Sequence, residues 1–172
     1  MKIAEERDAC PYITKWNVWL ISTSAVAALP KERRPLPAGF TVDRVPEEQL
    51  NVVLETSSIP RQPETMLALP NIGLLNEEGR LVAWGYIGID GSFATLYVLP
   101  EYRGRGFATF VAGELLGRLN RGVFRDLGFE GESGWAHADV KEGNSGSEGV
   151  MRSLGGTVEW VGSYMRVDSG KF

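Results

Sequence analysis

Hydrophobic positions along this chain change period several times, and the changes divide it into elements. From Ile13 to Ser22 apolar and polar residues roughly alternate. Trp16, Val18 and Leu20 share one parity and Lys15, Asn17 and Trp19 the other, which predicts a strand. Ala25–Ala38 holds three prolines and the run Lys31-Glu-Arg-Arg34, and reads as a linker. Phe40–Val45 is a second strand. Pro46-Glu-Glu-Gln-Leu50 opens a helix to about Thr56, because an early proline wastes no hydrogen bond and acids suit the positive end of the helix. Ser57–Pro70 predicts a loop with a short helix. Ile72–Asn76 and Arg80–Asp90 read as strands joined by the Asn76-Glu-Glu-Gly79 turn, and Asp90-Gly91 is a second tight turn into Ser92–Leu99. Phe110, Val111, Leu115 and Leu119 fall at helical spacing within Gly106–Arg121. A glycine-containing insertion, Gly122–Gly134, precedes a strand at Trp135–Val140. A helix at Asn144–Leu154 and a last strand or hairpin at Thr157–Val167 complete the chain. From Phe40 the order β-ααβββ-α-β-α-β predicts an α/β (α+β) fold, a mixed sheet with helices on both faces.

The densest chemistry lies where the strand ending at Leu99 feeds a helix through Pro100-Glu-Tyr-Arg-Gly-Arg-Gly106. Such a junction leaves unpaired N–H groups at the helix N-terminus, where the dipole also favours an anion. Arg103 and Arg105 add positive charge, so a phosphate or pyrophosphate is the expected ligand. The dinucleotide fingerprint G-x-G-x-x-G fails, because Thr109 stands at its third glycine and no βαβ repeat surrounds it. The nucleotide-triphosphate loop also fails, because Gly-Lys-Ser/Thr occurs nowhere.

Arg103, Gly106 and Ala108 do fit R-x-x-G-x-A, in which small residues let a pyrophosphate approach the backbone. With this loop, the strand before it, Trp135-Ala-His-Ala-Asp-Val140 after it, and Asn144-Ser-Gly-Ser147 followed by Val150, Leu154 and Gly155-Gly156, the chain resembles the GNAT acyl-CoA N-acyltransferase superfamily over about Gly39 to Val167. Ser57-Ser-Ile-Pro-Arg61, Val82-Ala-Trp84 and Asp90-Gly-Ser92 resemble its glycine-N-acyltransferase-like branch, particularly fungal members. The resemblance implies the GNAT fold over 39–172. Residues 1–38 are then an N-terminal extension and linker whose strand is a remnant of a lost N-terminal half.

It also implies acetyl-CoA or another acyl-CoA as co-substrate. The backbone of Gly104, Arg105, Gly106, Phe107 and Ala108, with Arg103, would hold the pyrophosphate. Main-chain groups of Leu96 and Val98 would pair with the pantetheine arm, and Asn144 would touch it. Asn144 also suits a plain helix N-cap. Many members of the family carry a Tyr one residue after the position of Val150; here Met151 stands there and has no proton to give. Ser147 or a water then substitutes, or the thiol leaves unassisted, since its ordinary pKa of about 8.5 makes it a tolerable leaving group.

His137 and Asp139 sit two apart on a strand and so face one way. Imidazole is the side chain that exchanges protons near neutrality, which makes His137 the candidate base. A packed, hydrogen-bonded sheet histidine is the other reading. Asp139 is expected to orient or solvate. Tyr97 shares parity with Phe93 and Leu99, which reads as packing. Ser57, Ser58 and Arg61 lie in the loop where such folds take the acceptor, and Arg61 suits a carboxylate. Trp84 and Trp135 either line an apolar acceptor pocket or belong to the core.

Composition narrows the partners. The chain has 172 residues and a formal charge of -4, which argues against general nucleic-acid binding. One Cys and one His supply no disulfide framework and no zinc set, so no metal is expected. The charged start, without an apolar h-region, shows no signal peptide, and no apolar run reaches membrane length. The expected setting is cytoplasmic, as a monomer or homodimer acting on a small-molecule amine. Two other readings stay open: a GNAT-type cleft repurposed for a non-acyl reaction on a natural product, and a non-catalytic acyl-CoA-binding module.

Overall fold

The computed structural model of the chain describes residues 12–30, 35–57 and 59–166. The polar lead with Cys10, the Lys31–Arg34 run and Ser58 lie outside the described residues. Strand β1 (Tyr12–Ser22) is followed by helix α1 (Thr23–Ala28), then β2 (Thr41–Asp43), α2 (Leu50–Thr56), α3 (Pro63–Leu67), β3 (Asn71–Leu75), β4 (Leu81–Ile87) and β5 (Phe93–Val98). The chain continues through α4 (Phe107–Asn120), β6 (Trp135–Lys141), α5 (Ser145–Ser153) and β7 (Thr157–Arg166). Part of the expected linker is therefore helical. Ser22 caps α1, its hydroxyl accepting from the Ala25 amide at 3.2 Å, and Val26 is fully buried, so local capping and burial override the nearby prolines.

Two antiparallel sheets carry the fold, in the orders β2-β3-β4-β5 and β6-β1-β7. The first forms by short hairpins; at the β3–β4 turn, the Gly79 amide donates to the Asn76 carbonyl at 2.9 Å. The second places β1 between two strands more than a hundred residues away in sequence. Trp16 to Ser22 pair with β6, and Tyr12 to Leu20 pair with β7. The segment expected to precede the domain thus supplies the middle strand of a sheet.

Helices cover both faces of the first sheet. On one side Ile72, Leu74, Ala83 and Ile87 join Val111, Leu115 and Leu116 of α4 in a core that extends to Trp19, Ile21, Ala138 and Met151. Gly85 permits this close approach, since a Cβ there would lie 3.2 Å from both Leu115 and Val111. On the other side Leu81, Trp84 and Tyr86 pack against Leu50, Val53, Met66 and Leu69. The two sheets meet at one parallel bridge, Ser92 with His137, where the His137 amide donates to the Gly91 carbonyl at 3.1 Å. Beyond the bridge β5 and β6 are no longer hydrogen-bonded neighbours, which leaves a notch between the sheets.

Strand β5 is irregular where it borders the notch. Tyr86 opposes Thr95 while Ile87 opposes Phe93, so Ala94 is an extra residue. The bulge corrects the simple parity expectation for Tyr97. Phe93 packs against the main core, whereas Ala94, Tyr97 and Leu99 pack against the other core.

Candidate active site

The expected anion loop is built by backbone. After β5 a turn of 3-10 helix (Pro100–Tyr102) leads to Arg103, and Gly104 and Gly106 then adopt φ of +75° and +79°. Side chains rarely tolerate that region, which explains glycine at both positions. A Cβ on either would meet nothing within 4 Å, so the space in front of them is open. Gly106 is the N-cap of α4 and brings no side chain to satisfy the first-turn amides.

Those amides belong to a cavity of about 600 Å³. Leu96, Val98, Arg103, Gly104, Gly106, Phe107, Ala108 and Asn144, all predicted from sequence, border it together with Ser147 and Val150. The opposite wall is the start of α5, so two helix N-termini flank one cavity. Asn144 caps that helix, its Oδ1 accepting from the Ser147 amide at 3.2 Å. The N-cap reading of Asn144 is realised, and the residue also lines the cavity.

Arg103 folds back on the rim. Its Nε donates to the Val98 carbonyl at 3.1 Å and its guanidinium lies 5.4 Å from the Tyr97 ring centre. Arg105 is outside the cavity lining: it donates to the Glu101 carbonyl at 3.2 Å and covers the Tyr102 ring. The Phe107 ring is buried against Phe40, with centroids 4.8 Å apart, so this residue offers the cavity mainly its backbone. On α5, Val150 faces the cavity, and Met151 is turned into the core at 2% exposure.

A second cleft, of about 780 Å³, borders the start of β5 at Phe93 and Ala94. Its wall includes Trp16, Arg61, Asp90, Phe93, Asp139 and Tyr164. An adjoining hollow of about 450 Å³ contains His137 and Asp139 together, as their spacing on one strand predicts. Arg61 is held across the cleft by donating to the Ala94 carbonyl at 2.9 Å. Asp90 accepts from the Ser92 hydroxyl at 2.6 Å and the Ser92 amide at 3.0 Å. These bonds, chiefly the hydroxyl, hold its carboxyl below the usual range against its partial burial, and His137 nearby adds to the effect. The Tyr164 hydroxyl donates to Asp139 Oδ2 at 3.1 Å. That bond, with the carboxylate charge, pushes the phenol above its ordinary value.

Three expected acceptor residues sit elsewhere. Trp84 is fully buried and stacks on Tyr97 at 5.0 Å, so it is a core residue. The Ser57 hydroxyl donates to the Ile59 carbonyl at 2.7 Å and shapes the loop. Trp135 is 52% exposed at the start of β6, on the same sheet face as His137 but outside the lining of both acceptor-side hollows. Sequence reasoning passed over Tyr164, Asp90, Trp16 and Trp160. The alternation of Trp16, Val18 and Leu20 held the signal for this face, and only the register of β1 against β6 and β7 tells what it faces. Among the described residues no group of three His, Cys, Asp or Glu is placed to hold a metal, and no helix is long and apolar enough to cross a membrane.

No protein-family model and no curated protein matches the sequence. Solved structures do match its fold. A Drosophila melanogaster protein, solved as a structural-genomics target, superposes with a TM-score of 0.73 at 19% identity over 97% of this chain and 56% of its own. A GCN5-related N-acetyltransferase from Kribbella flavida gives 0.63 at 16% identity over 99% and 64%. A tandem GNAT protein from the clavulanic acid biosynthesis pathway gives 0.61 at 15% over 91% and 55%. The chain has the GNAT fold and spans a little over half to about two thirds of these proteins.

Proposed function

We propose that the protein is an acyl-CoA-dependent N-acyltransferase that acetylates an amine of a small-molecule or amino-acid-like acceptor by direct attack in a ternary complex. The observation that carries this reading is a pair of sites along β5. A glycine loop and two helix N-termini line the cavity at its end, and an imidazole with two carboxylates lines the hollow and cleft at its start.

The donor set of the first cavity fits a pyrophosphate: open backbone at Gly104 and Gly106, uncapped first-turn amides of α4, and Arg103 on the rim. Leu96 and Val98 border the path from that loop to the notch and suit an amide-bearing arm. Acetyl-CoA supplies an activated thioester, at whose acyl carbon a C–N bond forms while the C–S bond breaks. His137 takes the proton that the attacking nitrogen must lose. Asp139, held by Tyr164, lines the same hollow, and Asp90 lies in the adjoining cleft. Arg61 pairs with an acceptor carboxylate. With Met151 buried, Ser147 is the hydroxyl-bearing side chain on the α5 wall, and the thiol's own acidity makes a strong acid unnecessary.

Calorimetric titration with CoA and acetyl-CoA, with Gly106→Val as control, tests the reading. Micromolar binding that is lost in the variant is expected. The added Cβ meets no atom, so the loss reports strained backbone and a blocked loop rather than a disrupted core. Wild-type protein that binds neither ligand overturns the proposal. The buried Met151 then favours the second reading, a GNAT-type cleft used for a non-acyl reaction.

A further inference from the structure

One face of the β6-β1-β7 sheet carries more aromatic surface than proton transfer requires. The strand register puts Trp16, Val18 and Leu20 of β1, His137 and Asp139 of β6, and Trp160 of β7 on the same face. The opposite face is sealed by the main core. On the open face lies the 450 Å³ hollow, with Val18 and Leu20 as its floor and Trp16 and Trp160 as walls. Trp160 is 56% exposed and Tyr164 58%, which is a large aromatic area to leave in water. The hollow shares Trp16, Asp139 and Tyr164 with the larger cleft, so its indole walls run directly into the space that Asp90 and Arg61 border.

The polar end has a defined sign. Among the residues lining the cleft, Asp90 and Asp139 stand against one cation, Arg61, whose guanidinium already donates to Ala94; Lys141 lies opposite Trp16 on the same sheet face but outside the lining. An ammonium entering the cleft meets two carboxylates, and indole faces beside it add cation–π attraction. A very small acceptor such as glycine would leave the chamber unfilled.

We infer that the acceptor is an amine bearing a flat aromatic or broad apolar group. The ring lies in the hollow between Trp16 and Trp160, with the ammonium toward Asp139. The use of that amine as an acceptor rests on the acyl-transfer reading; its binding does not.

The test is titration of tryptamine, tryptophan, ethylamine and glycine into the full chain, with and without saturating CoA, followed by heat and by tryptophan fluorescence. Tryptamine or tryptophan is expected to bind at least about tenfold more tightly than ethylamine and glycine, as burial of a ring implies. Trp160→Ser is expected to remove that advantage and leave the CoA titration unchanged, and Trp160→Phe to restore most of it. Because Trp160 is exposed on an edge strand, neither change opens the core. Aromatic amines binding no better than ethylamine, or equally well to Trp160→Ser, overturn the inference. Aromatic-amine binding by a protein that binds no CoA supports the hollow and counts against the acyl-transfer reading. CoA binding with no preference for aromatic amines does the reverse.

Discussion

The two cavities along β5 are assembled in opposite ways. Most of the wall of the pyrophosphate-type cavity comes from one contiguous stretch, Leu96 to Thr109, and the start of α5 closes it. Its working groups are backbone amides set by two glycines. The second cleft takes its wall from β1, the Ile59–Leu69 segment with α3, the Asp90 turn, the start of β5, β6 and β7. Its working groups are side chains, and they meet only if β1 pairs correctly with partners far along the chain. A local backbone site tolerates substitution at most neighbouring positions. A long-range side-chain site changes character with a single residue, which is how one fold hosts different chemistries.

The sharpest way to separate the two is to remove the proposed base alone. His137→Ala is expected to lower kcat about 10²- to 10⁴-fold, the usual contribution of a positioned base. CoA affinity should be unchanged, because His137 lies outside the lining of that cavity. Steady-state kinetics beside a CoA titration checks both halves. A rate within twofold of wild type removes His137 from the mechanism.

The middle strand offers the next largest effect. Ile21 is fully buried in the main core, and a Cβ on Gly156 would lie only 3.0 Å from its Cγ1, so the site is tightly packed. Ile21→Ala is expected to destabilise the fold by about 2–5 kcal/mol, the range for such truncations. Urea unfolding measures it, and a loss below about 1 kcal/mol would show that β1 is not a cooperative part of the domain. Residues ahead of Gly39 would then matter less to the acceptor face than the register implies.

This contrast also explains what was legible in the sequence. The loop from Arg103 to Ala108, the helix after it and the Asn144 cap were readable because their determinants are local: glycines at positive φ, a Pro turn, helical apolar spacing. The shared face of His137 and Asp139 was readable from strand parity. The placement of β1 was not, because its alternation predicts a strand but names no partner. Tyr164, Asp90 and Trp160 stayed hidden for the same reason. Trp84 was ambiguous in sequence, since a tryptophan on a fully buried strand and one lining a pocket read alike. The bulge at Ala94 has no glycine or proline to mark it, and it moved Phe93 to the face opposite Tyr97.

Arg61→Ala sharpens the comparison at smaller scale. If the guanidinium pairs with an acceptor carboxylate, its loss should raise KM for amino-acid acceptors about tenfold, the worth of one charge-assisted hydrogen bond. KM for plain amines and affinity for CoA should stay put. A uniform rise for all acceptors would instead assign Arg61 to holding the loop on Ala94.

The smallest effect concerns charge on the acceptor side. Asp90 titrates below the ordinary carboxyl range, chiefly because the Ser92 hydroxyl donates to it, with the Ser92 amide and His137 adding to this. A carboxyl depressed on folding contributes stability that is fully present above its unfolded value, about 3.9, and is lost as pH falls through its folded value. Ser92→Ala removes the largest cause. The folded pKa of Asp90 should therefore move up toward the unfolded one, and less of the stability that Asp90 adds above the carboxyl range should remain. Because the side chain is solvent-exposed, screening keeps this contribution to stability slight. NMR titration of the Asp90 carboxyl in both proteins reads the shift directly. An unchanged titration would show that the Asp90–Ser92 turn, rather than the hydroxyl, sets the negative charge that faces an incoming ammonium.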